Sequence, residues 1–410
     1  MTDGLPIRRN MILLAAAMAV NSATLQLVAA LASLTFVLVT GIEMLLGLGP
    51  AIYLGSAAVG AMVSGRAMDR HGRIPVLAAG FALQAVGTGM TVVGLRADSS
   101  LAVVAGFALS GVAGGTTQLI RTAAGDMHPP ERRARGIAWV LFGAVFGAIL
   151  GPAVYSPILA GRELDAEALT LPWLAAGALA IVGMAVVLTV RPDPKRIAEL
   201  IDARPGGEPA PAAAPLREII RRPGAIPAVI AGLTSFAVMV SVMNLSGYVV
   251  VEHRHHAEHL VFPIIGAHVL GMYLLVPIVG ALVDRIGRPV SMAGGLAVMS
   301  VSCAGLAWLD GVGAIGVLLF GLGLGWNISF VAATAQLADV SLPGERGKLM
   351  GANDLVASAA GAVLVLLGGY VLDEVGVYAL AAGMAAIAVL PIVPVLTHGR
   401  RLPRPVAETP

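Results

Sequence analysis

Long apolar stretches alternate with short polar segments along the whole chain. Each stretch is about 20 residues long, enough for a helix to cross the hydrocarbon core of a bilayer. Proline, glycine and charged residues mark their ends. Twelve such stretches occur, at 11–37, 44–66, 74–95, 101–124, 136–159, 167–190, 225–251, 258–281, 289–308, 312–337, 347–371 and 375–397. The pattern predicts an all-α membrane protein with twelve transmembrane helices.

The distribution of charge predicts the orientation in the membrane. Charged residues make up only 12% of the 410 residues, about half the share typical of a soluble domain. Of the 26 Lys and Arg residues, all but Arg96, Arg162 and Arg254 fall on one side of the predicted membrane. Because basic residues favour the cytoplasmic side, we expect both termini in the cytoplasm and the protein in the cell (inner) membrane.

A polar segment divides the chain into two parts. Residues 191–223 contain seven Pro and seven Lys or Arg residues, a composition expected to bury nothing and to form a linker. We therefore predict an N-terminal six-helix bundle at 1–190, a cytoplasmic linker at 191–223, and a C-terminal six-helix bundle at 224–410 that ends in a short polar tail.

The two predicted bundles share an internal repeat. The sequence G-R-A-M-D-R-H-G-R at 65–73 follows the second predicted helix, and G-A-L-V-D-R-I-G-R at 280–288 follows the eighth, 215 residues later. A second pair of segments, starting at Asp126 and at Asp339, has nearly the same offset. Secondary transporters use such parallel six-helix halves and bind substrate between them.

The motif G-x-x-x-D-R-x-G-R resembles the signature loop of the major facilitator superfamily. Its two copies extend the resemblance over about residues 10–397. The resemblance implies two bundles that rock around a central cavity and open it alternately to each side, driven by an ion or solute gradient. It also implies a gate built from Gly65, Asp69, Arg70, Gly72, Arg73, Gly280, Asp284, Arg285, Gly287 and Arg288.

The residue types of the motif suit such a gate. The first glycine lets a neighbouring helix approach closely, and the second permits a tight turn. Asp69 would accept the positive end of a helix dipole; in the family this helix is the eleventh, which begins here near Gly347–Gly351. By pseudo-symmetry, Asp284 would face Arg135–Gly136. We expect the motif arginines to pair with nearby acids, which are Asp126, Glu131, Asp339 and Glu345. The alternative is that these basic segments only set the topology.

The fifth predicted helix carries a second partial motif. Gly147, Gly151 and Pro152 resemble the core of a pattern that the family associates with proton-driven exporters, although Tyr155 stands where that pattern continues with glycine. An ordinary close-packing face is the alternative. The arginine that such exporters often carry in the fourth helix is absent, because Phe107 occupies its place.

Two ionisable side chains at membrane depth are candidates for proton coupling. His268 falls near the midplane of the eighth predicted helix, and histidine titrates near neutral pH; a neutral imidazole bound to Tyr273 or to a carbonyl is the alternative. Asp354 lies about two turns inside the eleventh helix; it could instead pair with Arg121 or Lys348. Polar residues that could line a cavity or bind substrate are Asn21, Gln26, Gln118, Asn244, Trp326 and Asn327.

A histidine-rich segment lies between the seventh and eighth predicted helices. His255 and His259 are spaced to bind one Zn²⁺, with Glu252 or Glu258 as a third ligand. A solvated loop is the simpler interpretation, and we predict no metal site.

These observations predict a secondary active transporter that exports a small organic solute or drug in exchange for protons. Uptake of a metabolite or metal ion, and a non-transporting sensor with the same fold, are the alternatives. No grouping of nucleophile, base and orienting residue suggests an enzyme. We expect a monomer in the lipid bilayer with a small-molecule substrate, no cofactor and no nucleic-acid partner.

Overall fold

Helices account for all regular secondary structure in the described part of the chain. The computed structural model describes residues 6–41, 48–159, 165–201, 213–250, 254 and 261–398, and these ranges contain no strand. In chain order the helices are α1 Ile7–Thr40, α2 Leu48–His71, α3 Arg73–Arg96, α4 Ser100–Thr117, α5 Ile120–Asp126, α6 Arg133–Leu159, α7 Ala166–Leu188, α8 Pro194–Ile201, α9 Leu216–Ile220, α10 Ala225–Tyr248, α11 Val261–Tyr273, α12 Val276–Ile286, α13 Arg288–Trp308, α14 Val312–Asp339, α15 Arg346–Glu374, α16 Val377–Val389 and α17 Ile392–His398.

Most of these helices are long and apolar enough to cross a membrane. Ten spans in the described residues meet this criterion, and α11 with α12, bent by 44°, would make an eleventh. Helix α2 adds 24 residues at the place of the second predicted span. The prediction of an all-α membrane protein is confirmed.

The helices form two bundles that meet along two seams. Helices α1–α7 make the first half and α10–α17 the second. Across the interface, α2 packs against α15, and α6 packs against α12 and α11. These seams are equivalent under the internal repeat, because α2 corresponds to α11–α12 and α6 corresponds to α15. Any relative movement of the halves must therefore change both seams.

Three predicted spans are interrupted. Thr116 and Thr117 donate side-chain hydrogen bonds to carbonyls one turn earlier, just before the break between α4 and α5, and such bonds compete with regular helix geometry. Pro277 lies in the first turn of α12, and Pro391 separates α16 from α17. Proline lacks the N–H that continues a helix, which explains both breaks.

The two signature motifs lie mostly within helices, whereas the sequence analysis placed them in loops. Gly72 is the single residue between α2 and α3, and Gly287 is the single residue between α12 and α13. Their φ angles are 94° and 93°, values that residues with a Cβ rarely adopt. Consequently Asp69 and Asp284 occupy the last turn of one helix, and the motif ends in the first turn of the next.

The linker is more ordered than its composition predicts. Helix α8 buries Ile197 and Ala198 against the first half, and α9 buries Ile219 against the second. Residues 202–212 lie outside the described part. The prediction that this segment buries nothing is therefore wrong at both ends. Short amphipathic runs, with apolar residues at helical spacing, supply these contacts.

Gly72→Ala tests the one-residue turn between α2 and α3. An added Cβ would lie 2.8 Å from Oδ2 of Asp193, and the backbone conformation is strained for any L side chain. We expect a loss of about 1–3 kcal/mol, measured as a lower Tm in detergent. Gly89→Ala, at a helical glycine with no atom within 4 Å of the added Cβ, is the control. Equal Tm values for both variants would contradict the strained turn.

Candidate functional site

Asp69 joins the two halves at the end of the molecule that carries both signature motifs, here called the motif face. Its Oδ1 accepts a hydrogen bond from the N–H of Gly347 at 2.9 Å, and its Oδ2 accepts one from the N–H of Lys348 at 2.6 Å. These amides belong to the first turn of α15, where N–H groups lack helical partners. Asp69 of the first half thus caps a helix of the second.

Glycines allow this contact between α2 and α15. A Cβ on Gly65 would lie 2.1 Å from the carbonyl oxygen of Gly347, and one on Gly347 would lie 2.3 Å from that of Gly65. One turn further, a Cβ on Gly351 would lie 2.3 Å from the carbonyl oxygen of Ala61. No side chain fits between the two backbones, so glycine at these positions is what brings Asp69 within reach of the amides.

Arg73 connects Asp69 to a buried carboxylate. Its Nη1 donates to Asp69 at 2.9 Å, its Nε to Asp126 at 2.7 Å, and its Nη2 to the carbonyl of Pro343 at 2.7 Å. From the second half, Arg346 donates to the other oxygen of Asp126 at 2.9 Å. We call Asp69, Arg73, Asp126, Arg346 and the amides of Gly347 and Lys348 the first gate cluster.

Asp284 occupies the equivalent position at the second seam. It accepts hydrogen bonds from the amides of Ala134 and Arg135 at the start of α6, at 3.3 and 3.0 Å, and pairs with Arg288 at 2.6 Å. A Cβ on Gly280 would lie 2.5 Å from that of Ala138, so this seam is close-packed too. Both aspartates thus contact the helices that the resemblance implied.

Asp339 completes the second cluster. It pairs with Arg133 across the interface at 2.5 Å and with Arg288 at 3.3 Å. We call Asp284, Arg288, Asp339, Arg133 and the amides of Ala134 and Arg135 the second gate cluster. Its amide contacts are longer than those of Asp69. The sequence analysis did not name Arg133 or Arg346 as gate residues, although their 213-residue separation matches the offset of the repeat.

Some predicted partners do not meet. Arg70 and Arg285 are exposed, as is Glu131, and no polar contact involves them within the described ranges. Glu345 bonds Arg222 of the linker instead of a motif arginine. The reason is geometric: the arginine directly after each motif aspartate points away from the interface, whereas the one four residues later points into it.

The linker contacts the first signature motif and the start of α15. At its first end, Asp193 accepts hydrogen bonds from the amides of Arg73 and Ile74 at 3.1 and 2.9 Å, which caps α3. Lys195 donates to the carbonyl of Asp69 at 2.7 Å. At its other end, the amide of Ala214 donates to Glu345 at 2.8 Å. One end of the linker therefore contacts the first half, and the other end contacts the residue that precedes α15.

Glu345 holds the second end of the linker. Arg222 donates to its two oxygens at 2.5 and 2.9 Å, and the amide of Leu342 adds a bond at 3.0 Å. Burial alone would raise the pKa of Glu345, but these bonds together with that of Ala214 outweigh burial and hold the pKa below its ordinary value. The carboxylate is therefore charged at neutral pH.

A second charge pair crosses the interface deeper in the molecule. Arg121 of α5 is bonded to Asp354 of α15 through Nη2, and its Nη1 donates to the carbonyl of Gln118 at 3.0 Å. Its guanidinium carbon lies 4.8 Å from the ring centroid of Phe330, a cation–π distance. Arg121 is only 2% exposed. This pair joins the halves where an ionised group needs a partner.

Polar and aromatic side chains surround this pair. Asn21 donates to Gln118 at 3.4 Å and accepts from Thr117 at 2.5 Å, which joins α1 to the α4–α5 break. On the other side, Trp326 stacks on Phe330 with centroids 5.0 Å apart. The indole N–H of Trp326 is buried and has no hydrogen-bond partner among the described residues. Asn21, Gln118 and Trp326 therefore belong to one region with Arg121 and Asp354.

The remaining predicted cavity residues lie elsewhere. Asn327 donates to the carbonyl of Met272 at 2.7 Å, which holds α14 to α11 within the second half. Asn244 is exposed and donates to Val240 in its own helix at 2.8 Å. Gln26 lies beside Gly151 of α6. Asn327 and Asn244 make the ordinary hydrogen bonds of membrane helices.

His268 is fully buried between α11 and α14. Its Nδ1 lies 2.9 Å from the carbonyl oxygen of Leu319, and its Nε2 has no partner in the described part of the chain. The structure thus shows the carbonyl contact that the sequence analysis considered, and not a contact with Tyr273. Both helices belong to the second half, so the imidazole does not join the halves.

The glycines of the partial exporter motif pack within the first half. A Cβ on Gly143 would lie 2.1 Å from the carbonyl of Ala15, and one on Gly147 would lie 2.3 Å from that of Ala19. Gly151 continues this face of α6 against α1, and Pro152 follows in the same helix. Close packing of two helices accounts for this spacing.

The histidine-rich segment falls almost entirely outside the described residues. Of positions 252–259, only Arg254 is described, and the predicted zinc ligands are not. Among the described residues, no group of three or more metal-binding side chains is found.

Comparison with known proteins identifies a family. The model of the Major Facilitator Superfamily matches residues 11–267 and 256–410. The riboflavin transporter RfnT of Brucella anthropi is 30% identical over 385 residues, which cover 92% of this chain and 92% of that protein. A gallate transporter of Pseudomonas putida is 43% identical over 136 residues, which cover 30% of this chain and 28% of the relative.

Solved structures share the fold at low identity. The human organic anion transporter MFSD10 superposes with a TM-score of 0.74 at 16% identity and covers 95% of this chain and 99% of its own. The proton:xylose symporter XylE superposes with a TM-score of 0.76 at 14% identity, covering 95% and 96%. These matches confirm the architecture of two six-helix halves.

Glu345→Gln tests the attachment of the linker. The pKa of Glu345 is lowered in the folded protein, so its stabilisation is present above the ordinary Glu pKa and is lost as pH falls through the folded value. At pH 7 we expect Glu345→Gln to lower the Tm by about 2–4 °C. This is the shift expected when a six-helix half loses roughly 1 kcal/mol of its free energy of unfolding. Its Tm should converge with that of the unmodified protein in acid.

Glu374→Gln, at an exposed residue near the other end of α15, is the matched control and should not change the Tm. A Tm difference for Glu345→Gln that does not depend on pH would contradict the charged contact with Arg222.

Proposed function

Because the chain belongs to the major facilitator superfamily, we propose that it carries a small polar aromatic solute across the cell membrane and couples this movement to protons at Asp354. The chain is a multi-pass membrane transporter and not an enzyme, as the sequence predicted. The observation that carries the proposed proton coupling is the Arg121–Asp354 pair, a buried ionisable contact that joins the two halves.

Alternating access requires this pair to break. When the halves separate at the motif face, Arg121 moves with the first half and Asp354 with the second. An isolated buried carboxylate is unstable, with a penalty of several kcal/mol, and proton uptake removes its charge. Asp354 thus has a physical reason to bind a proton during the transport cycle.

The aromatic character of the solute is supported by two observations. Phe330 and Trp326 present stacked rings beside Arg121, and aromatic rings stack on planar ligands. The relatives named for a solute transport riboflavin and gallate, both of which contain aromatic rings.

The direction of transport is measured with a pH gradient, because the glycines of α6, on which the export prediction depended, pack against α1 within one half. In proteoliposomes the sign of the pH gradient distinguishes the two directions: accumulation with an alkaline interior indicates symport, and accumulation with an acidic interior indicates exchange. Radiolabelled riboflavin and gallate are the first solutes to test. If both solutes exchange across the membrane but neither accumulates under either pH gradient, proton coupling is rejected.

The gate is the second part of the proposal. We place both termini and the motif face in the cytoplasm, as the basic residues predict. The first and second gate clusters then hold the cytoplasmic side closed, and their interhalf contacts separate when it opens.

Asp69→Asn tests the first gate cluster. The substitution keeps the side-chain shape but removes the charge shared by two amides and Arg73. We expect transport to fall about tenfold or more, because each 1.4 kcal/mol lost from the closed state shifts the equilibrium about tenfold. Expression and membrane insertion should be unchanged. Solute uptake into proteoliposomes is the measurement.

Asp284→Asn is the matched variant at the second seam and should reduce transport less, since its amide contacts are longer. Normal transport by Asp69→Asn would remove the first gate cluster from the mechanism.

Asp354→Asn and His268→Gln separate the two proton candidates. The asparagine cannot be protonated, so we expect Asp354→Asn to abolish accumulation driven by a pH gradient but to keep exchange of labelled for unlabelled solute. His268→Gln can keep the hydrogen-bond geometry at Leu319, and we expect it to keep both activities. The opposite pattern, with gradient-driven accumulation lost only in His268→Gln, would assign coupling to the histidine.

A further inference from the structure

The guanidinium of Arg121 is only partly used. Its Nη2 bonds Asp354, but its Nε, on the same edge of the group, is buried and has no partner among the described residues. The second oxygen of Asp354, Oδ2, is buried and unpartnered there as well. A carboxylate aligned with this edge would accept from both nitrogens at once. Asp354, held by α15, engages only one of them.

The chemistry of the two partners differs when the pair breaks. Asp354 can become neutral by binding a proton, whereas arginine keeps its charge at every physiological pH. Arg121 is then a buried cation in need of an anion. The one acid of α5 is Asp126, which is already bound by Arg73 of the same half. An anion bound from solution would restore the balance of charge.

We propose that the transported solute carries a carboxylate, which binds the Nε–Nη2 edge of Arg121 after Asp354 has taken up a proton. This inference rests on the proposed function and specifies its solute as an aromatic carboxylate. Phe330, over which the guanidinium lies, is the aromatic side chain next to this edge. Proton and solute are bound together, so the coupling is symport, and one monocarboxylate moves with one proton without net charge.

The surroundings of Asp354 make Arg121 its dominant charged neighbour. Helix α10 contains no charged residue, and α14 contains only Asp339, at its far end. On α2, Asp69 is bound by the amides of α15 and by Arg73. On α15 itself, Lys348 donates to the carbonyl of Ala214 and Arg346 bonds Asp126. These other charges already have partners in the gate cluster or the linker.

Binding of gallate to the purified full-length protein in lipid nanodiscs tests the inference. Calorimetry at several pH values, all high enough to keep the gallate carboxyl ionised, measures Kd. For the unmodified protein we expect affinity to rise as pH falls, by at most about tenfold per pH unit for one coupled proton. Asp354→Asn mimics the protonated state, so it should bind tightly with no dependence on pH.

Substitutions of Arg121 provide a second test of the inference. Arg121→Gln should weaken gallate binding by about tenfold or more, and Arg121→Lys should be intermediate, because lysine is a point charge without the planar fork. Arg96→Gln, the same substitution at an exposed arginine, is the control and should bind normally. Normal gallate binding by Arg121→Gln would overturn the inference.

Riboflavin, which has no carboxylate, distinguishes failure of the inference from failure of the proposed function. If riboflavin binds the unmodified protein and Arg121→Gln equally while gallate binds neither, the carboxylate assignment is rejected. The proposal of a transporter for aromatic solutes then remains. Absence of binding and of transport for both solutes would reject the proposed function as well.

Discussion

The contact of the Asp69 carboxylate with two backbone amides of the opposite half is the constraint on which the closed structure depends. It forms only if the backbones of α2 and α15 nearly touch, which is why Gly65 and Gly347 face each other without side chains. The same approach buries Arg73 and Asp126, and Arg346 then completes the charge balance from the other half. One close packing of helices thus brings together every member of the first gate cluster.

The energetics of this face favour two discrete states. Buried ions are tolerated only when each is paired and hydrogen-bonded, and breaking one partner away costs about 3–5 kcal/mol unless water or another ion replaces it. The gate clusters therefore favour either full contact or full hydration. The linker adds to this behaviour. Its Asp193 and Lys195 bond the Asp69–Arg73 region of the first half, and its Ala214 and Arg222 bond Glu345 at the start of α15. The deeper Arg121–Asp354 pair is subject to the same constraint, and in the proposed mechanism a proton and a solute take the place of water.

The sequence predicted the fold from local patterns and the contacts of the motif aspartates from a resemblance. Apolar length gives the spans, and the likeness of the repeated motif to the family's signature implies the contact of Asp69 with α15. Other features depend on geometry that no local pattern encodes. Arg70 and Arg73 have the same chemistry, yet only Arg73 points into the interface. The linker composition predicted no burial, yet Ile197 and Ile219 are buried because neighbouring helices offer them a surface. His268 was predicted as a proton carrier, but it is buried within the second half and its Nδ1 contacts a carbonyl of that same half.

The most direct test of the central claim is the distance between the halves at the motif face. Spin labels at Arg70 and Arg285, both exposed and one on each half, would be placed in a chain with the buried Cys303 changed to serine. Pulsed electron resonance in nanodiscs would then give the distance distribution. We predict two populations, a short one that matches the contacts described here and a longer one that increases when Asp69→Asn is introduced. A single distance that is unchanged by Asp69→Asn would contradict a gate that opens by breaking this contact.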